Sequence, residues 1–194
     1  MSDENFKGAT AEEQVIEAAR RNNLDLFKSI EDQYEEKPNE FIKLLNTSTD
    51  ATGDSALHLC CKYGCYTVMD EIIDLDGVNL NVRAPVTGDT PLHYAANYSF
   101  SEPAYALFLI QQLIEVGANP SIRNKEGLKP IDIVGGSNDK IRKVLESAEY
   151  ARTAEHVGEV VQDIDDDDNE DVSDENNNSD EGDKRKDHGS QERK

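Results

Sequence analysis

The chain has 194 residues, with 20 Lys and Arg against 41 Asp and Glu, a formal charge of −21, and no tryptophan. Neutralising phosphates requires clustered Lys and Arg, so this balance excludes a strongly basic nucleic-acid binder. No run approaches the roughly 20 apolar residues that a membrane-spanning helix needs. The charge is unevenly distributed: Ala151–Lys194 holds 16 acidic and 6 basic residues, and the apolar content sits almost entirely in the first 150. One domain with a tail is expected, divided into a flexible N-terminus over 1–9, a folded domain over 10–150 and a tail over 151–194.

The opening Met-Ser-Asp-Glu-Asn-Phe-Lys-Gly has neither a basic n-region nor an apolar h-region, so no secretory signal is expected. The first apolar-periodic stretch is Val15–Asn22, followed by Leu26, Phe27 and Ile30 at helical spacing. A long connector over Glu31–Thr49 then carries Phe41, Ile42, Leu44 and Leu45, which predict an added helical turn or two.

Next come two segments that align with each other, Gly53–Gly64 and Gly88–Tyr98, offset by 35 residues. A third, degenerate copy starts at Gly127, 39 residues on. Ser55 and Thr90 precede the first helical turn as N-caps, while Pro91 and Pro130 occupy its first position, where a missing N–H costs nothing. Leu92, Ala95 and Ala96, and likewise Leu57, Cys60 and Cys61, form narrow stripes that let a neighbouring helix approach closely. A second apolar helix follows in each copy, around Val68–Ile73, Leu109–Ile114 and Ile141–Leu145. Gly53, Gly88 and Gly127 stand in the preceding turns, where positive φ is expected, and Gly117 is expected as a left-handed C-cap.

The string Gly88-Asp89-Thr90-Pro91-Leu92-His93-Tyr94-Ala95-Ala96, with Gly117-Ala118-Asn119-Pro120 closing the copy, resembles an ankyrin repeat. Gly53–Cys61 resembles the same motif with Ser for Thr and Cys-Cys for Ala-Ala. The resemblance spans roughly Thr10–Glu149 and implies an all-α ankyrin-repeat solenoid of about four helix pairs. Two would be good internal repeats, flanked by degenerate N- and C-terminal caps and followed by a disordered acidic tail. The copies depart from the family pattern around Ser99–Ala106, expected as an insertion between two helices. They depart again at Lys129 and Asp132, which replace Thr and His in the last copy.

The histidines admit two readings. At the fourth motif position His58 and His93 would bond Ser55 and Thr90 and lock repeats together; a catalytic role would need a nucleophile and an orienting acid, and neither recurs there. His58, Cys61 and Cys65 also have ligand types suited to zinc, which makes a metal- or redox-responsive regulator an alternative. The competing expectation is that Cys60 and Cys61 act as small buried hydrophobes, leaving Cys65 as the reactive thiol on the rim. Three closely spaced cysteines make a poor disulfide framework and point to a reducing compartment, cytoplasm or nucleus.

Gln162–Asp183 has 12 acidic residues and no basic one, a composition that cannot bury enough apolar surface to order itself. It either solubilises the solenoid or attracts a basic client. Ser173 and Ser179, each followed by two acids, are candidate sites for an acidophilic kinase, and Lys184-Arg185-Lys186 is too short to read as a nuclear import signal. Asp165–Asp168 lacks the glycine turn and final Glu of a calcium loop, and Gly135–Asp139 reads as a turn and N-cap rather than a phosphate loop.

The resemblance implies a monomeric, non-catalytic protein-binding module with no cofactor, no direct nucleic-acid contact and no membrane contact. Its candidate contacts are Ala51, Thr52, Asp54, Lys62 and Tyr63 in the second repeat. They continue as Val86, Thr87, Asp89, Asn97 and Tyr98 in the third, then Lys125 and Glu126 in the cap, with Tyr63 and Tyr98 expected to stack or bond along the strip. The layout is similar to small acidic ankyrin-repeat proteins that escort a ribosomal protein, so a basic client is expected. An adaptor or stoichiometric inhibitor of an enzyme is the alternative.

Overall fold

The structure is a computed structural model that describes residues 8–135 and 138–160. Nine helices are present among the described residues: α1 Ala11–Arg21, α2 Leu24–Asp32, α3 Pro38–Thr47, α4 Ala56–Tyr63, α5 Tyr66–Ile73, α6 Pro91–Tyr98, α7 Pro103–Glu115, α8 Pro130–Ile133 and α9 Asp139–Val160. Helices α1, α4, α6 and α8 stack side by side as an inner layer, and each packs against the outer helix that follows it, α2, α5, α7 and α9. This is a four-pair solenoid in which α3 is an addition to the first repeat, packed on α1.

Local chemistry fixes where each inner helix starts. Thr10 caps α1 in a reciprocal box with Glu13, its hydroxyl accepting from the Glu13 N–H (3.3 Å) while the Glu13 carboxylate accepts from the Thr10 N–H (2.9 Å). In α4 and α6 a histidine takes the place of that glutamate, with the Ser55 and Thr90 N–H groups donating to His58 Nδ1 and His93 Nδ1, both at 3.1 Å. The inner helices end as locally as they begin. Asn22 closes α1 and Gly64 closes α4, both left-handed. The Asn22 side chain then ties repeats one and two together, accepting from the Val68 N–H (3.1 Å) and donating to the Thr67 hydroxyl (3.2 Å).

The core is a continuous seam between layers: Val15, Phe27, Leu59, Met69, Leu92, Leu109, Leu113 and Leu145 are all fully buried. Small residues at the inner-helix contacts permit this, since Ala18, Ala19, Cys60, Cys61, Ala95 and Ala96 are likewise 0% exposed.

Two expectations about the connections are corrected. The Glu31–Thr49 connector holds a ten-residue helix, α3, rather than a turn or two, because Pro38 sets its first turn and Phe41, Leu44 and Leu45 share one buried face. Of the Ser99–Ala106 stretch only Ser99–Glu102 is a loop; Pro103 starts α7, and the extra residues lengthen that helix to thirteen. Helix α9 runs across the expected boundary at 150, as far as Val160. Gly136 and Ser137, parts of the expected turn and N-cap before α9, lie outside the described residues, as do the expected flexible segment up to Lys7 and the acidic tail from Val161 with Ser173 and Ser179.

Candidate binding cleft

The turns before α4 and α8 are each organised by one side chain. Asp50 Oδ1 accepts from the Thr52 N–H (2.8 Å), the Thr52 hydroxyl (2.6 Å) and the Asp54 N–H (3.0 Å), which holds its carboxyl below the usual range against the opposing effect of burial. Asn124 does the same in the last repeat, accepting from the Glu126 and Leu128 N–H groups, both at 3.0 Å. The turns are also tied to each other: the Lys125 N–H donates to the Thr87 carbonyl at 2.9 Å, and the Lys125 ammonium reaches the Pro85 carbonyl. Gly88 permits that approach, since its φ is +75° and a Cβ there would lie 3.0 Å from the Lys125 backbone nitrogen. Ala51, Thr52, Val86, Thr87, Lys125 and Glu126 stand exposed along this edge.

The two motif histidines are fastened at both ring nitrogens. The Ser55 hydroxyl lies 2.9 Å from His58 Nδ1, and the Thr90 hydroxyl lies 2.8 Å from His93 Nδ1. On the far side, His58 Nε2 is 3.0 Å from the Asp89 carbonyl and His93 Nε2 is 3.0 Å from the Leu128 carbonyl, each in the following repeat. Because Nδ1 accepts from a backbone N–H and Nε2 faces a carbonyl, the network assigns a neutral ring with its proton on Nε2. Burial is the leading cause that holds both imidazoles below their ordinary pKa.

These ring contacts bear on the zinc alternative. Both His58 nitrogens are occupied, the Cys61 thiol faces Met69 Sδ at 4.0 Å, and the Cys65 thiol faces the Arg20 carbonyl at 3.6 Å. Among the described residues no group of three His, Cys, Asp or Glu side chains is arranged to hold a metal ion. The expectation of Cys65 as a reactive rim thiol is corrected: it is 5% exposed, because the turn after Gly64 folds its side chain back onto the end of α1, and burial raises its pKa.

An open cleft of about 370 Å³ runs along the inner helices between the third and fourth turns. Lys62, Asp89, Asn97 and Glu126 line it, bringing together four of the sequence-derived candidates; so do Tyr94, Asn124 and Leu128, which sequence reasoning missed. The signal for Tyr94 was the variable position between His93 and Ala95, a site the motif leaves free and the inner helix turns toward the cleft. Asp54 is a correction in the other direction. Expected as a surface contact, it is 3% exposed, with Oδ1 accepting from the Tyr94 hydroxyl (2.6 Å) and Oδ2 from Lys62 (3.1 Å). The Lys62 ammonium also sits 5.7 Å from the centre of the Tyr94 ring and 5.9 Å from that of Tyr63. Tyr63 is therefore anchored to Lys62. Tyr98 instead turns to the outer side and meets Tyr105 edge-on at 6.3 Å, so the expected Tyr63–Tyr98 pairing is corrected.

The family model for ankyrin repeats, in three copies, matches residues 15–124. The ankyrin repeat-containing protein YGL242C of Saccharomyces cerevisiae is 45% identical over 149 residues, covering 76% of this chain and 82% of the relative. The inhibitor of Bruton tyrosine kinase of Xenopus laevis is 32% identical over 88 residues, covering 45% of this chain and 6% of that protein. Alpha-latroinsectotoxin-Lt1a of Latrodectus tredecimguttatus is 27% identical over 101 residues, covering 52% of this chain and 6% of the toxin. No helix among the described residues is long and apolar enough to cross a membrane. With the motif hydroxyl and histidine capping α4 and α6, a family model over more than half of the chain and a matching relative along most of its length, this chain belongs to the ankyrin-repeat family and is a module for protein–protein interaction.

Proposed function

We propose that the cleft grips a basic segment of a client protein, without catalysis, and that the acidic tail increases the rate of capture. The supporting observation is the charge balance of the cleft. Asp89 and Glu126 line it, its single lining cation Lys62 is already engaged by Asp54, and His93 is held neutral. The cleft is therefore net negative, the walls are fixed by bonds between repeats, and little ordering is needed on binding. Both motif imidazoles are used to join repeats, which leaves them no role in proton transfer. The same reading makes the protein a monomeric escort in a reducing compartment, where three free thiols persist.

Anisotropy titration of a labelled Lys- and Arg-rich peptide tests the reading. Asp89→Asn combined with Glu126→Gln is expected to weaken binding about fivefold at low salt, as two partly exposed charges would. Deleting Gln162–Lys194 is expected to slow association more than it speeds dissociation. Unchanged affinity in the double variant overturns the cleft as the site, and recovery of only acidic or neutral partners in affinity purification overturns the basic client.

A second reading, an adaptor or stoichiometric inhibitor of an enzyme with a merely solubilising tail, draws on the similarity to a protein named as a kinase inhibitor. It predicts unchanged affinity after tail deletion, which separates it from the first.

A further inference from the structure

The helix that the repeat pattern does not require, α3, creates a second surface that shares no residue with the cleft. Where α2 ends and α3 begins, the chain leaves an open groove of about 350 Å³ against Leu75 at the end of α5. Its floor is apolar and aromatic: Phe41 is wedged between Phe27 and Tyr34, with ring centres 5.7 Å apart in both pairs, and Ile42 and Leu75 continue the floor. Its rim carries Glu31, Asp32 and Glu35, and no cation lines it. Lys28, the cation one turn back, is held by Glu31 and Glu71, and Lys37 is paired with Glu40 at 3.4 Å. Asp32 and Glu35 make no ion pair among the described residues, and both are exposed.

We infer that this groove is a second docking site, for a partner segment in which one apolar side chain is flanked by Lys or Arg. The apolar residue would lie over Tyr34, Phe41, Ile42 and Leu75 while the flanking cations meet Asp32 and Glu35. Charge decides the class of occupant. A second copy of a chain with a formal charge of −21 is repelled. The chain's own acidic run Gln162–Asp183 is repelled as well, and the cations that follow it, Lys184-Arg185-Lys186 and Arg193-Lys194, have no apolar residue among their neighbours to serve as an anchor. The inference goes beyond the cleft reading, since the two surfaces share no residue.

The test is amide chemical-shift mapping on the full-length labelled chain at low salt. The probe is the peptide Gly-Lys-Arg-Leu-Lys-Arg-Gly, with a counterpart carrying Ser for Leu as control. The Leu peptide is expected to shift the amides of Asp32–Ile42 and Leu75, and the Ser peptide is expected to lose those shifts. Asp32→Asn with Glu35→Gln, both at exposed positions that leave the fold intact, is expected to weaken binding at those amides about fivefold. Equal groove shifts from both peptides, unchanged groove affinity in the double variant, or shifts confined to the cleft and the acidic tail each overturn the inference. Shifts at the groove without any at Lys62, Asp89 and Tyr94 would uphold it while defeating the cleft reading, so the two fail separately.

Discussion

Tyr94 donates its phenolic proton to Asp54 across the boundary between the second and third repeats, with 2.6 Å between the oxygens. Burial first, then that bond and the charge of Asp54, push the Tyr94 pKa upward, so the phenol stays protonated and keeps donating. Asp54 Oδ1 accepts no other recorded bond among the described residues, while Oδ2 holds Lys62.

Tyr94→Phe keeps the ring beside His58, whose centre lies 4.9 Å away, and removes only the donor. A buried carboxylate oxygen loses its partner, so the expected cost is about 1.5–3 kcal/mol in urea unfolding. Tyr63→Phe, at a residue 49% exposed, is the control and is expected to change stability by less than about 0.5 kcal/mol. Equal effects of the two substitutions would remove the Asp54 bond from the account of how these repeats are joined.

The histidine locks predict a specific loss of stability in mild acid. Both folded-state pKa values lie below the ordinary value, so between them and about 6.5 the unfolded chain binds protons that the folded chain refuses. Stability therefore rises with pH through this window and falls as pH drops below about 6.5, continuing down to the depressed folded values. Structurally, a proton on Nδ1 of His58 or His93 would point at the Ser55 or Thr90 N–H, placing donor against donor. Urea midpoints measured at intervals from neutral pH to just above the carboxylate range should decline in the wild type. The slope should be shallower in His58→Gln, which still places an acceptor near the cap but does not titrate. Identical slopes would mean that other groups govern the decline.

The inner helices were legible in the sequence because their signals are local. A capping hydroxyl, a proline at the first position, a histidine three residues on and an Ala-Ala or Cys-Cys pair each act within one turn. Helix α3 was under-read because its identity depends on tertiary cover: Phe41, Leu44 and Leu45 form a helical face only once α1 offers a surface to bury it. The tyrosines show the same limit in the site. Tyr63 and Tyr98 occupy matching repeat positions, yet α7 in the third repeat carries Tyr105 and draws Tyr98 outward, while Tyr63 stays beside Lys62. Asp54 was read as surface because charged turn residues usually are. Its burial required knowing that Tyr94, forty positions away, supplies a donor.

Gly64 gives the tightest steric test of how adjacent repeats fit. Its φ is +70°, and a Cβ there would fall 2.6 Å from the Tyr98 hydroxyl and 2.9 Å from the ring carbon that bears it. Gly64→Ala is thus strained in the left-handed region and forces Tyr98 off its position against Tyr105, with an expected total cost of about 1–3 kcal/mol. Gly127→Ala separates the two contributions: φ is +80° but nothing lies within 4 Å of the new Cβ, so only the backbone cost of about 1 kcal/mol remains. Adding Tyr98→Ala to Gly64→Ala relieves the clash and should bring the further loss caused by the glycine change down to the Gly127→Ala value. A Gly64→Ala cost that is the same with and without Tyr98 would show that the tyrosine yields freely and that backbone conformation alone selects glycine there.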